Sequence, residues 1–223
     1  MTKWSRMVRG VGLTAVIACA VGSSARGARA QEVGSAPTPA EEAKADSGRP
    51  PYTAADVHFM QGMIGHHSQA VVMARWAKSH GARPDVLRLC DRIIVSQQDE
   101  ILTMQRRLRE HKETAPEAQF EYPPKGMAGM PGMEGMLMPG MLTPAQMDQL
   151  NGAHGPDFDR LFLTDMMQHH LGALTMVSQL FDSQGAAQDD RIFKFASDVS
   201  ADQTAEIGRM RIMLTTPTTA SSP

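Results

Sequence analysis

One eleven-residue stretch occurs twice in this chain, and the repetition limits the folds open to it. Met63-Ile64-Gly65-His66-His67-Ser68-Gln69-Ala70-Val71-Val72-Met73 is echoed by Met166-Met167-Gln168-His169-His170-Leu171-Gly172-Ala173-Leu174-Thr175-Met176. The same 103-residue offset relates Asp56 to Asp159 and Phe59 to Phe162. At an offset of 106, Gln97, Glu100, Ile101 and Met104 match Gln203, Glu206, Ile207 and Met210. The small drift between the two offsets belongs in an inter-helix loop, where insertions cost little.

Each copy has the period of a helical hairpin. Thr53, with Asp56 three residues on, is a capping-box start, and Gly81 is a stop. At 100° per residue Phe59, Met63, His66, His67, Ala70, Met73 and Ala77 share one face, opposite Gln61, Ser68, Val72 and Arg75. Pro84 suits the first turn of a second helix that runs to about His111, with an inward row of Leu87, Cys90, Ile94, Gln97, Ile101, Met104 and Leu108. In the second half Thr143-Pro144-Ala145-Gln146 opens a short helix ending near Asn151-Gly152. Two long helices follow, from about Asp157 to Gly185 and from about Asp189 to Leu214.

The expected architecture is all-α: a ferritin-like four-helix bundle made of two repeated hairpins, residues 53–113 and 143–214, packed as one body. A Met-, Gly- and Pro-rich crossover over 114–142 joins them, too rich in glycine and proline for a regular helix. Residues 31–52 read as a disordered linker and 215–223 as a flexible tail.

The N-terminus carries Lys3, Arg6 and Arg9, an apolar run from Val11 to Val21, and Ala28-Arg29-Ala30. That is the pattern of a secretory signal over residues 1–30, too short to span a bilayer. Export to the periplasm is expected, with a lipoprotein anchored at Cys19 as the alternative. Cleavage at Ala30 would remove Lys3, Arg6, Arg9, Arg26 and Arg29 and no acidic residue, taking the formal charge from −2 to roughly −7. That sign excludes a nucleic-acid partner. It would also leave Cys90 as the single cysteine, so no internal disulfide could form.

The chemistry lies in the histidines and methionines. Neutral imidazole is a common metal ligand, and each His-His pair is flanked by thioethers three residues before and six after. The plain alternative is hydrogen-bonded core histidines beside gap-filling methionines, since thioethers pack irregular spaces well. Two copies, each with methionines on its buried side, favour a metal: His66, His67, His169 and His170, with Met63, Met73, Met104, Met166, Met176 and Met210 as soft donors. Gln97, Glu100, Gln203 and Glu206 lie beside the inward row, where they could orient the imidazoles. The crossover adds Met127, Met130, Met133, Met136, Met138 and Met141. A thioether is a soft donor and survives an oxidising compartment, which points to Cu(I), and to silver as a further ligand. A surface oxidant sponge is the rival account of the crossover methionines. His58, His80, His111 and His154 have no partner in the other repeat and are expected at the surface, and Cys90 is expected as a small buried thiol.

Asp56, Phe59, Met63, His66-His67, Ala70 and Met73 with Gln97, Glu100-Ile101 and Met104 make up the first half of a resemblance. Phe158-Asp159-Arg160, Phe162, Met166, His169-His170, Ala173 and Met176 with Glu206-Ile207 and Met210 make up the second. Over 53–113 and 143–214 the chain resembles the CopM-like family of bacterial proteins, long catalogued as a domain of unknown function. The resemblance implies an exported, ferritin-like four-helix bundle that binds copper and silver in metal tolerance, with Met63, His66, His67, Met73, Met104 and their counterparts as ligands. A protein that sequesters or hands on copper would have metal ions as its partners, together with a copper exporter or another periplasmic copper protein.

Two other classes stay in view. A ferritin-like di-metal oxidase would need several glutamates and Glu-x-x-His on two helices, and Met63 and Met166 stand where those glutamates would be. A non-metal interaction module with structural histidines would gain no stability from Cu(I) or Ag(I). No catalytic residue is expected.

Overall fold

A computed structural model describes residues 52–123 and 137–215. Four long helices and one short one account for the order, with no strand among the described residues: α1 (Ala54–Trp76), α2 (Pro84–Glu110), α3 (Pro144–Gly152), α4 (Gly155–Asp182) and α5 (Asp190–Thr215). The region read as a signal peptide, nearly all of the linker, and Met127, Met130, Met133 and Met136 lie outside the described residues.

The helix ends follow the expected local chemistry. Thr53 and Asp56 close a reciprocal capping box on α1, and Thr143 and Gln146 close one on α3. Pro84 and Pro144 sit in the first turns of α2 and α3. Gly81 and Gly185 turn the chain at φ of 70° and 77°, conformations that glycine adopts at little cost.

The repeated aspartates staple the hairpins together. Besides capping α1, Asp56 accepts a 2.7 Å hydrogen bond from the backbone N–H of Ala187 in the α4–α5 loop. Its counterpart Asp159 accepts from the Arg83 N–H at 3.2 Å, in the α1–α2 loop. Each hairpin thus ties its first helix to the turn of the other. Burial raises the Asp159 carboxyl above its ordinary range, and its bond to the Arg83 N–H opposes the rise.

Within each hairpin α1 packs on α2 and α4 on α5, and α1 meets α4 at the centre. The buried apolar residues form two groups. Ala70, Met73, Met166 and Met210 belong to the first with Phe158 and Phe162. Met63, Met104, Ala173 and Met176 belong to the second with Phe59. The space beside Gly62 holds the Met176 methyl, and the rings of His66 and His169 meet. The two repeat helices therefore cross antiparallel, with the histidines at the crossing.

Three expectations from helical periodicity need correcting. Ser68 and Val72, placed on the outer face of α1, are buried at 4% and 5% exposure. The crossover covers that face: the Gln119 N–H reaches Ser68 Oγ at 3.4 Å, and Gln69 exchanges two hydrogen bonds with the Leu142 backbone. On α2 the buried row begins Val86, Leu89, Cys90 and Ile93, leaving Leu87 and Ile94 half-buried. A one-residue rotation of the inward face accounts for this.

Finally, His80 is buried rather than exposed. Its ring nitrogens lie 2.8 Å from the carbonyl oxygens of Trp76 and Asn151, and its own carbonyl accepts from the Gly155 N–H at 2.7 Å. It joins the end of α1 to the end of α3. His58 and His154 are exposed and His111 is half-buried.

Candidate metal centre

Helical spacing brings the donors inward. On α1, Met63 stands one turn before His66 and His67, and Met73 nearly two turns after them. On α4, Met166 and Met176 repeat the arrangement around His169 and His170. All four histidines are 0% exposed, as are Met63, Met73, Met166 and Met210, with Met104 at 1% and Met176 at 8%.

Antiparallel crossing sorts the six thioethers into two sets of three. Met63 of α1, Met104 of α2 and Met176 of α4 lie on one side of the histidines. Met166 of α4, Met210 of α5 and Met73 of α1 lie on the other. Each set draws on three helices, and the pseudo-twofold relation of the repeats exchanges one for the other. Between them His66 and His169 are 3.8 Å apart, centroid to centroid. His67 and His170 sit 6.3 Å from their chain neighbours.

The outer partners of the imidazoles are specific. His67 Nε2 lies 2.6 Å from Glu100 Oε2, and His170 Nε2 lies 2.7 Å from Glu206 Oε2. The two glutamates thus hold the positions expected of orienting groups. Gln97 and Gln203 do not: both are 2% exposed, and neither amide oxygen nor nitrogen has a hydrogen-bond partner.

The partner of His66 was not foreseeable from side-chain pattern. Its Nε2 lies 2.9 Å from the Pro139 carbonyl oxygen in the crossover. The segment Leu137–Leu142 lies as a strap over both central helices. Met138 Sδ fills the space beside Gly62, 3.0 Å from where a Cβ would stand, and Gly140 lies on Gly172. Glycines inside amphipathic helices were the available signal, because a helix keeps them where another backbone comes close. Of the crossover methionines that are described, Met138 and Met141 are half-buried.

Burial fixes the charge state of the centre. Desolvation, then the neighbouring His67, pushes His66 down from 6.5 to about 3, against the opposing hydrogen bond of Pro139. Desolvation likewise holds His169 well below the ordinary histidine value, followed by repulsion from His66 and His170. Both rings are neutral at neutral pH, the form that ligates metals.

The donors fit a soft metal ion on a further count. Nδ1 of His66, His67 and His170 and both ring nitrogens of His169 are buried without a hydrogen-bond partner; the His169 ring meets the His66 backbone only in poor alignment. An unpaired buried polar group costs about 1–3 kcal/mol, and native cores hold few of them. Five ring nitrogens together, beside six thioethers, make a donor set of the chemistry that thiophilic metals take. Among the described residues no cluster of three or more His, Cys, Asp or Glu side chains forms a hard-ligand site. Cys90, 2% exposed and with its thiol pushed up by burial, stands apart as a packing residue.

A family model described as a domain of unknown function, DUF305, matches residues 56–214. Uncharacterized protein L153 of Acanthamoeba polyphaga mimivirus is 40% identical over 57 residues, 26% of this chain and 38% of that protein's length. Among solved structures, a DUF305 fragment from Deinococcus radiodurans superposes with a TM-score of 0.61 at 25% identity, covering 74% of this chain and 98% of the fragment. A candidate secreted DUF305 protein from Streptomyces coelicolor gives 0.58 at 26%, covering 72% and 91%. CopM in its Cu(II)-bound form gives 0.54 at 26%, covering 71% and 95%, and CopM is also solved in Cu(I)-bound and silver-bound forms.

Proposed function

The chain belongs to the DUF305 family, and on that premise we propose that it is an exported copper-binding protein that takes Cu(I), and also Ag(I), at the crossing of α1 and α4. The ligands would come from His66, His67, His169 and His170, from Met63, Met104 and Met176 on one side, and from Met73, Met166 and Met210 on the other. One observation carries this reading: six thioethers from four helices gather as two sets of three around four buried neutral-type imidazoles. The likeness to CopM, solved with copper and with silver, supports it.

The chemistry favours a monovalent, polarisable ion. Thioethers are neutral soft donors, so they discriminate against hard cations and do not compete for protons. Metal affinity falls wherever a ligand must first lose a proton. An imidazole kept neutral down to about pH 3, as His66 is, remains a ligand in mild acid. Glu100 and Glu206 would anchor His67 and His170 against rotation, an arrangement common behind metal-bound histidine.

No helix of the described residues is long and apolar enough to cross a membrane. With the N-terminal signal pattern, that is consistent with a protein that meets copper outside the cytoplasm. It would buffer the ion or pass it to an exporter or another periplasmic copper protein. A di-metal oxidase has less support, because Glu100 and Glu206 are each already engaged by a histidine.

The test is a competition titration with Cu(I) under anaerobic conditions. The His66→Ala, His67→Ala, His169→Ala, His170→Ala quadruple variant should lose most of the tight binding while keeping its helicity. Retention of wild-type affinity in that variant would refute the reading.

A further inference from the structure

The Nε2 atoms of three of the four central imidazoles point at oxygen: His66 at the Pro139 carbonyl, His67 at Glu100 and His170 at Glu206. Carbonyl and carboxylate oxygens offer only lone pairs, so in each contact the imidazole N–H donates. Nδ1 of the same three rings has no hydrogen-bond partner. A second proton placed there would be a buried, charged donor without an acceptor, an arrangement that proteins avoid.

We propose that Pro139, Glu100 and Glu206 lock His66, His67 and His170 in a single tautomer, with the proton on Nε2, so that each ring turns a bare Nδ1 inward as its metal-binding atom. The part concerning metal rests on the copper reading above; the tautomer does not. It follows that Pro139 is a positioning residue for His66 although it contributes only a backbone carbonyl.

What delivers that carbonyl is a backbone-to-backbone fit. At Gly172 a side-chain methyl would overlap the Pro139 carbonyl group and stand 2.5 Å from the Gly140 Cα. At Gly140, where φ is 74°, a methyl would stand 2.6 Å from the Gln168 carbonyl oxygen. On the α1 side the Gln69 amide clamps Leu142 by two hydrogen bonds of 2.8 and 3.0 Å. Here the two halves of the protein part company. Gly62, Gly65 and Gln69 of α1 correspond to Asp165, Gln168 and Gly172 of α4, so one strap crosses the pair of helices on one side only. It caps His66 and leaves His169, the equivalent ring, without a cap. The crossover therefore does more than join the hairpins: it makes two repeated histidines chemically different.

Nitrogen-15 NMR of the metal-free protein, labelled at histidine, reads the tautomers directly through long-range proton–nitrogen correlations. His66, His67 and His170 should each show the Nε2–H pattern. Gly172→Ala, which displaces the strap without touching a ligand, should abolish the single-tautomer pattern of His66 and leave those of His67 and His170 intact. Its Ag(I) affinity should fall about 10- to 100-fold, the usual range for losing an outer partner of a ligand. An Nδ1–H pattern or a tautomer mixture at any of the three rings in the wild-type spectrum overturns the proposal, whether or not the variant folds. A Gly172→Ala protein with the His66 pattern intact overturns the role of Pro139. If the tautomers are as stated and Ag(I) does not bind, the copper reading fails and the tautomer assignment stands.

Discussion

Acidification should destabilise the metal-free protein through the same two rings that meet at the helix crossing. Burial holds His66 down to about 3, from 6.5 for an ordinary imidazole, and displaces His169 in the same direction. Folded-state values below the unfolded ones mean that the unfolded chain binds protons that the native state refuses. Stability is therefore complete above about pH 6.5 and is lost as pH falls toward 3. Each ring costs about 1.4 kcal/mol per pH unit below its unfolded value. At pH 5 the two together remove roughly 4 kcal/mol, most of the margin of a domain with the usual 5–15 kcal/mol of stability. Asp165 works the other way. Burial raises its carboxyl to about 6, so the native state binds that proton first and recovers some stability as pH falls from 6 to about 4. One carboxylate offsets less than two imidazoles lose. Urea denaturation of the metal-free protein between pH 7.5 and 4.5, beside a His66→Leu, His169→Leu variant, isolates the effect. The wild type should lose about 3 kcal/mol per pH unit more than the variant below pH 6. Parallel curves for the two proteins would refute the claim that these rings are forced to be neutral.

Asp165→Asn should stabilise the metal-free protein at pH 7.5 by up to about 2 kcal/mol, a gain that shrinks as the buffer approaches pH 5, read from urea midpoints. Asp56→Ala removes the acceptor of the Thr53 and Ala187 N–H groups and should cost about 2–4 kcal/mol by the same measurement; an effect under about 0.5 kcal/mol would deny the staple between hairpins. Met104→Leu with Met210→Leu takes one thioether from each set at nearly constant volume. Stability should change by less than about 1.5 kcal/mol per site, while Cu(I) affinity in an anaerobic competition assay drops at least about tenfold.

Much of the fold could be read before any coordinates. Thr53, Pro84, Thr143, Gly81 and Gly185 mark helix ends because capping and left-handed turns are local chemistry. The duplicated His-His motif pointed at the centre, and burial of all four rings agrees with it. Contacts between distant segments were less visible. Ser68 and Val72 look like solvent-facing positions on a helical wheel, yet the crossover returns over them. His80 had no repeat partner, and only the return of α3 gives it the Asn151 carbonyl. The grouping of Met63 with Met176 and of Met73 with Met166 depends on antiparallel register, which no single helix encodes. Pro139 was invisible for a simpler reason, since its contribution to His66 is a carbonyl that every residue has.

The central claim is that sulfur and imidazole meet on one thiophilic ion, and X-ray absorption at the copper edge of the Cu(I)-loaded protein tests it most directly. The account predicts a mixed shell of thioether sulfur and histidine nitrogen, with the nitrogen lost in the four-histidine alanine variant. A shell without sulfur, or one unchanged by removing His66, His67, His169 and His170, would contradict it.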